Sequence, residues 1–489
     1  MKKYLIIFMC FWGGINFSCS NWLDIKPSDR ISEENNFSAL AGFKKALNGV
    51  YIELNNPDLY GKNLSCEFIE ILAQRYAVGD ENKSNKELMK FSYNGSAGRG
   101  KSTSIWGTAY KLIANANLIL KNVEQHRDIL VGEYYNLVKG EALALRALLH
   151  FDLFRLFGPV YAEDSTAISI PYYKEFQFDV APSYAAHDFM NMVIADLLEA
   201  ERLLVNDPIV EFGVKGNTKD VFLQDRNLRL NYYAVQGLLA RAYLYMGNNE
   251  RALYYAESVI KIQEEKFPWI TPMKLNNSKS ADCVFSTEIM FALQNLDRNT
   301  LYTSLFDGAN LKLNSLLAPR GDVVDYVFES DKTDYRYSSS LNGTVEISGT
   351  TYRVFNKFQG TDSLYNQMIP MIRISEMYMI AAETSTDGPT RLGYFNTFRN
   401  HRNLASVRER DVDYYLDESK DLIAYKSVSS VSGFTGKYVN YADVRNQGID
   451  VSLSGTLLKN KDWRWTAAFN MGYVKNKVTK SKSTAQTKY

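Results

Sequence analysis

Between residues 104 and 125 the apolar side chains recur every three or four positions: Ile105, Trp106, Ala109, Tyr110, Ile113, Ala116, Ile119, Leu120 and Val123. That spacing lines one stripe of a helix and predicts an amphipathic helix over 104–125. Trp106 and Tyr110 lie one turn apart, so they share a face and are read as core rather than as a platform for sugar rings. Residues 133–157 are denser still. Ala142, Leu143, Ala144, Leu145, Ala147, Leu148, Leu149, Phe151, Leu153, Phe154, Leu156 and Phe157 leave only a narrow polar strip, so this helix has to be wrapped by neighbours. Arg146, His150, Asp152 and Arg155 interrupt it. A charge at bilayer depth costs about 3 kcal/mol, which argues against a membrane span. Gly158-Pro159 stops the helix.

The clearest helical hairpin spans 230–246 and 249–262. Ala234, Val235, Leu238, Leu239, Ala242 and Met246 face inward from its first arm, Gly247-Asn248 turns the chain, and Ala252, Ala256, Val259 and Ile260 answer from the second. Alanines at the contact let two helix axes approach closely, the pattern of a tetratricopeptide-type pair, and neighbouring hairpins make a superhelical stack the expected architecture. A last helix is predicted over 371–383, with Ile372, Ile374, Met377, Tyr378 and Ala381 inward. Longer irregular stretches separate the helices at 66–100, 161–183 and 267–355, and such loops on a rigid scaffold are where binding residues usually sit. The fold class is therefore mainly α, a tetratricopeptide-repeat-like helical superhelix with long loops.

After about residue 406 the period changes from three-and-four to two. Ile449, Val451 and Leu453 alternate with Asp450 and Ser452; Trp465, Ala467, Phe469, Met471 and Tyr473 alternate with Thr466, Ala468, Asn470 and Gly472. This predicts two strands joined by the polar turn Lys459-Asn460-Lys461-Asp462, a hairpin with the length and aromatic content of membrane barrel walls. The plain alternative is an amphipathic hairpin packed on the body.

The amino terminus carries Lys2 and Lys3, then an apolar run from Tyr4 to Ile15, then Asn16-Phe17-Ser18-Cys19. This reads as a secretion signal with a small residue before a cysteine, the arrangement at which bacterial lipoproteins are cut and acylated. Cys19 is the expected lipidation site and first mature residue. Three regions follow: a signal at 1–18, a helical body at 19–405 and a β-rich segment at 406–489. Cys66 and Cys283 remain in the mature chain, and their 217-residue separation supports no pairing, so they are expected to be free.

Composition adds constraints on partners. Lys plus Arg total 56 against 55 Asp plus Glu, a balance with no net field to recruit nucleic acid or an anionic membrane surface. His126, His150, His187 and His401 are scattered outside any metal-binding spacing, and no nucleophile elbow, phosphate loop or dinucleotide fingerprint is present. No cofactor or metal is expected. Asp80-Glu81 and Glu264-Glu265 are the adjacent carboxylates considered for glycosidic cleavage, but the second pair ends a helix and reads as solvated. The 33 Tyr and 26 Phe mainly suit a wide core. Four aromatics on irregular segments are the candidate ligand contacts: Tyr76, Tyr93, Trp269 and Tyr302.

Six segments then occur in order: Asn21-Trp22-Leu23-Asp24-Ile25-Lys26-Pro27; Ile105-Trp106-Gly107 through Leu120; Gly140-Glu141-Ala142 through Gly158-Pro159-Val160; Ser286-Thr287-Glu288 through Leu293; Arg373-Ile374-Ser375-Glu376-Met377-Tyr378 through Glu383; and Phe395-Asn396-Thr397-Phe398 through Arg402. Together they resemble the SusD/RagB family of outer-membrane nutrient-binding lipoproteins. The resemblance implies a non-enzymatic, lipid-anchored protein at the cell exterior that captures glycan and hands it to a TonB-dependent transporter. A surface glycoside hydrolase and a peptide-binding repeat scaffold are the alternatives. In the tail, Val412-Asp413-Tyr414-Tyr415 through Ile423, Val439-Asn440, Arg445 through Val451, and Phe469-Asn470 through Val478 resemble part of the barrel of SusC-type TonB-dependent transporters, the partner family. A few strands cannot close a barrel, so the join near 406 is expected to reflect a gene fusion, a recombined reading frame or a sequence-assembly artefact rather than a functional two-part design.

Overall fold

The computed structural model describes residues 33–412, apart from 178, 217–218, 277–280, 313, 329, 342, 361–362 and 410, and beyond them the backbone of four strands between 425 and 481. Cys19 and the signal segment lie outside the described residues. The main helices are α1 (Leu40–Leu54), α2 (Ser96–Gln125), α3 (Tyr134–Phe157), α4 (Ala186–Leu203), α5 (Tyr232–Tyr245), α6 (Asn249–Ile260), α7 (Ile374–Thr384) and α8 (Gly388–Asn400). Each packs on the next along the chain, so neighbouring pairs share one apolar core that runs from Phe37 to Ala381. This is the nearest-neighbour stacking of a tetratricopeptide-like array.

α3 holds the middle of the stack. From Gly140 to Phe151 every one of its residues is buried, because α2 and α4 cover it on two sides and α1 touches it as well. Trp106 and Tyr110 of α2 sit 4.8 Å apart, with Trp106 edge-on to Phe157 at 5.4 Å, in the core role that their spacing predicted. α2 starts at Ser96, a little over two turns before the periodic stripe. Its first turns carry Gly98, Gly100 and Lys101 and lack the apolar repeat that would have revealed them.

The α5–α6 connection shows how local sequence sets the fold. Gly247 takes φ +75°, open to glycine at little cost. Asn248 N–H then donates to Tyr243 O at 2.9 Å, closing the carboxy-terminal end of α5. The Asn248 side chain accepts from Arg251 N–H at 3.1 Å and caps α6.

Strands β1 (Ile289–Gln294) and β2 (Met368–Arg373) pair antiparallel beneath α5, with Leu293 opposite Ile369 and Gln294 opposite Met368. Gly237 makes the approach of α5 possible, since a Cβ there would lie 2.9 Å from Met290 Cε and 3.1 Å from Ile372 Cγ2. The helix predicted over 371–383 therefore begins only at Ile374. Met371, Ile372 and Arg373 belong to a strand that accommodates Pro370 opposite Ala292, beside an irregularity in the register. The long stretches read as irregular also hold short elements, among them helices Phe68–Leu72, Lys83–Met89 and Arg298–Leu305 and the hairpin Gly343–Ile347 with Thr350–Val354. In the tail, β3 (Ala442–Lys459) and β4 (Arg464–Ser481) form the expected antiparallel pair, with Ile449 opposite Tyr473 and Leu453 opposite Phe469.

Two buried polar clusters fasten the stack. The Glu141 carboxylate of α3 is fully buried and accepts from Arg226 Nη2 at 2.8 Å, Arg229 Nε at 2.9 Å and the Tyr51 hydroxyl at 2.8 Å. Arg226 also grips Asp207 through Nε at 3.0 Å and Nη2 at 2.6 Å. One turn and a half later, Arg146 binds Asp196 of α4 through Nε and Nη2 at 2.6 and 2.7 Å. Buried His150 stacks on Tyr172 at 3.8 Å, accepts from Tyr173 N–H at 3.1 Å through Nε2 and bonds Arg146 O through Nδ1 at 2.9 Å. Those two contacts define a neutral ring, and burial followed by the nearby Arg146 pushes its pKa down to about 3.

Replacing Glu141 by Leu leaves Arg229 without a carboxylate and Arg226 with Asp207 alone, and a loss of roughly 3–5 kcal/mol is expected in urea unfolding; a loss under about 1 kcal/mol would remove the cluster from its fastening role. His150 makes stability depend on pH. Its folded pKa lies below the ordinary value of 6.5, so between about pH 6.5 and 3 the unfolded chain takes up the proton first and stability falls as pH falls, by about 1 kcal/mol per unit. Thermal midpoints taken from neutral to acidic pH should decline, and His150→Asn, which does not titrate, should flatten that decline.

Candidate functional site

Two concavities open where connecting segments meet the ends of the strand pair. The first lies between the end of α1 and the exit of β1. Beyond Leu54 the chain turns through Asn55-Asn56-Pro57, and Asn55 Nδ2 donates to Tyr51 O at 3.2 Å and to Gln294 O at 3.1 Å, tying helix to strand. Across from it Asn295 N–H donates to Gln367 O at 2.6 Å, and Gln294 Nε2 donates to Gln367 Oε1 at 3.1 Å. The cleft between them has a volume of about 640 Å³ and is lined by Ile52, Asn55, Asn56, Gln294, Asn295 and Thr300 among others. Asn55 Oδ1 is buried there without a hydrogen-bond partner. Ile52 and Leu296, 69% and 73% exposed, supply apolar surface in the same cleft. Amides that both donate and accept, set beside aliphatic surface, match the alternating hydroxyls and C–H faces of a neutral saccharide.

The second concavity is aromatic and cationic. A chamber of about 540 Å³ is walled by Phe285, Phe328, Phe355 and Phe398 and reached by Lys357 and Arg373. An adjoining chamber of about 440 Å³ shares Phe328, Leu341, Phe355 and Lys357 with it and adds Tyr76 and Phe358. Most charges on these walls are matched: Arg336 with Asp334 at 2.6 Å, Arg402 with Glu288 at 2.5 Å, Glu376 with Arg241 at 2.6 Å and Glu70 with Arg75 at 2.7 Å. Lys357 and Arg373 make no ion pair among the described residues. Burial, with Arg373 alongside, pushes the Lys357 ammonium down to about 7; burial likewise pushes Arg373 down to about 10.

Of the four aromatics singled out in the sequence, only Tyr76 lines one of these concavities. It is 7% exposed, its hydroxyl donates to Cys66 O at 2.7 Å, and its ring packs 6.1 Å from Phe306. Tyr302 is also in the core, at 9% exposed. Trp269 is half-buried, stacked on His401 at 4.6 Å beside Tyr378. Tyr93, 37% exposed, lies next to Phe91 in the turn before α2. The amides Asn55, Asn56, Gln294 and Asn295 were missed, although doublets of amides at element ends are a visible signal. Lys357 and Arg373 carried none, since an unpaired charge is known only once its neighbours are placed. Cys66 and Cys283 are free, and burial pushes the Cys66 thiol up to about 12. Among the described residues no cluster of metal-ligating side chains occurs, and no helix is long and apolar enough to cross a membrane.

Residues 21–212 match a SusD-like family model described as "Starch-binding associating with outer membrane". A SusD superfamily protein of Bacteroides thetaiotaomicron has a similar structure, with a TM-score of 0.62 at 21% identity over 79% of this chain and 86% of that one. SusD-like protein P38 of Formosa agariphila is 25% identical over 212 residues, which is 42% of this chain and 39% of that protein. TonB-dependent receptor P3 of the same organism is 31% identical over 149 residues, 30% of this chain and 14% of that receptor. The matches thus span well under half the length of these two relatives. Residues 21–212 thus resemble the SusD-like family, and the stack of helix pairs that continues beyond them shares the fold of a SusD superfamily structure.

Proposed function

We propose that this chain is a cell-surface lipoprotein, anchored through an acylated Cys19, that captures oligo- or polysaccharide without cleaving it and passes it to a TonB-dependent outer-membrane transporter. The observation that carries the reading is the amide-lined cleft between Asn55-Asn56 and Gln294-Asn295, whose polar groups and exposed Ile52 and Leu296 suit sugar hydroxyls and ring C–H surfaces. The family description and the resemblance of part of the chain to a TonB-dependent receptor support the partner. The carboxylates at the other cavity, Glu70 and Glu376, are each held by an arginine, an arrangement suited to rigidity rather than to proton transfer. Tyr93 and Trp269, which keep ring surface accessible, remain candidate contacts; the buried Tyr76 and Tyr302 rings are better suited to support the walls.

Titration of the full chain against a panel of neutral polysaccharides should find a ligand. Gln294→Ala combined with Thr300→Ala, both exposed positions, should weaken it about tenfold or more without changing the melting temperature. Shortened products after incubation would replace binding by hydrolysis, and recovery of peptides but no sugars would favour a protein scaffold. In cells fed labelled fatty acid the wild-type chain should carry label, and Cys19→Ala should carry none and leave the membrane fraction.

A further inference from the structure

The aromatic chamber has an imbalance that the neutral-sugar cleft lacks. Arg336 and Arg402 each hold a carboxylate, whereas Arg373 has Nε and Nη2 buried with no hydrogen-bond partner. These two atoms form the side-on edge of a guanidinium, which meets a carboxylate with two parallel bonds. Elsewhere in this chain that same edge does so: Arg146 on Asp196, Arg226 on Asp207 and Arg241 on Glu376. Lys357, on the wall common to both chambers, lies over the Phe358 ring at 5.8 Å and has no hydrogen bond or ion pair among the described residues. Behind them Arg298 is also buried; its Nη1 and Nη2 meet only the neutral oxygens of Met368, Gln359 and Asn366, and its Nε has no partner. Glu288, Asp282 and Glu376 act on Arg373, and Glu70 on Lys357, only through space; guanidinium atoms buried without a hydrogen bond cost free energy that a bound acceptor would recover.

We propose that this chamber binds an oxyanion, the carboxylate or sulfate group of an acidic saccharide, held by the Nε/Nη2 edge of Arg373 and the ammonium of Lys357. The assignment of a saccharide as carrier rests on the function proposed above; the oxyanion site itself does not. A volume of about 540 Å³ admits a sugar unit together with its charged group. Phe285, Phe328, Phe355 and Phe398 supply ring faces for the carbon skeleton. Met371 and Met379 line the same chamber, and their unbranched side chains adjust to open the path to the buried guanidinium edge.

The test uses the full chain. Sodium sulfate and sodium acetate at low millimolar concentration, where general salting effects on stability are negligible, each compared with sodium chloride at equal ionic strength, should raise the melting temperature. Calorimetry with a sulfated, a uronate-containing and an uncharged oligosaccharide of similar backbone then shows which oxyanion the site prefers. Arg373→Met should abolish the rise while leaving the anion-free protein at least as stable as wild type, and Lys357→Met should weaken anion binding about tenfold. If Arg373→Met does not fold, Arg373→Lys, which keeps the charge and loses the two-pronged edge, should weaken binding by a similar factor. Equal melting in sulfate, acetate and chloride, or a rise that survives the Arg373 variants, overturns the site. Uncharged sugar bound at the amide cleft with no anion effect defeats this inference alone; anion binding with no sugar bound of any kind defeats the function proposed above instead.

Discussion

A helix that is apolar on nearly every side cannot lie at a surface, and α3 imposes that condition on everything around it. Its run from Gly140 to Phe151 is buried throughout, and burying one Leu or Phe side chain contributes roughly 1.5–3 kcal/mol. No single neighbour can cover all of it. α2, α4 and α1 must therefore be present together, and their own apolar stripes pass the same requirement outward along the stack to α8. The polar residues of α3 then set orientation: Glu141 receives two arginines from the connection leading into α5, and Arg146 reaches across to Asp196 on α4. Buried pairs of this kind contribute little net stability, but they penalise any packing in which a partner is misplaced.

Much of this was legible in the residues because helix periodicity survives burial. The stripes of α2, α3, α5 and α6 and the Gly247-Asn248 turn were all placed from spacing alone. The strand pair was not, because Met368–Arg373 opens with a five-residue apolar run containing a proline, and a short apolar run has no period that separates strand from helix. Its partner lies more than seventy positions away in sequence, and no local signal reports such a pairing. The start of α2 was lost for the opposite reason: its first turns are glycine-rich and polar, and they are helical because they continue a helix already nucleated downstream.

Function was less legible than fold. Aromatic residues on irregular segments were a reasonable first choice, yet in a chain with 33 tyrosines the core claims rings such as Tyr76 and Tyr302 first. Beside phenylalanines and aliphatic side chains, the polar groups that face the concavities are largely amides and cations, and what sets some of them apart is the state of their hydrogen-bonding atoms. Asn55 Oδ1 and the Arg373 edge combine two properties: neighbouring chemistry leaves them unsatisfied, and their residues line a concavity. That combination belongs to the three-dimensional arrangement and has no counterpart in a linear motif.

The register that sets Gln294 against Met368 also determines how this protein can diverge. Everything between those two positions leaves and re-enters the helical array at adjacent points, so residues 295–367 behave as a cassette mounted on a fixed socket. One wall of the amide cleft and the Phe328, Phe355 and Lys357 side of the cationic chamber are carried by that cassette. Its exposed positions, Leu296 and Val327 among them, can change with little effect on the helices beneath, whereas Leu301, Leu305 and Phe306 belong to the helical core and fix where it sits.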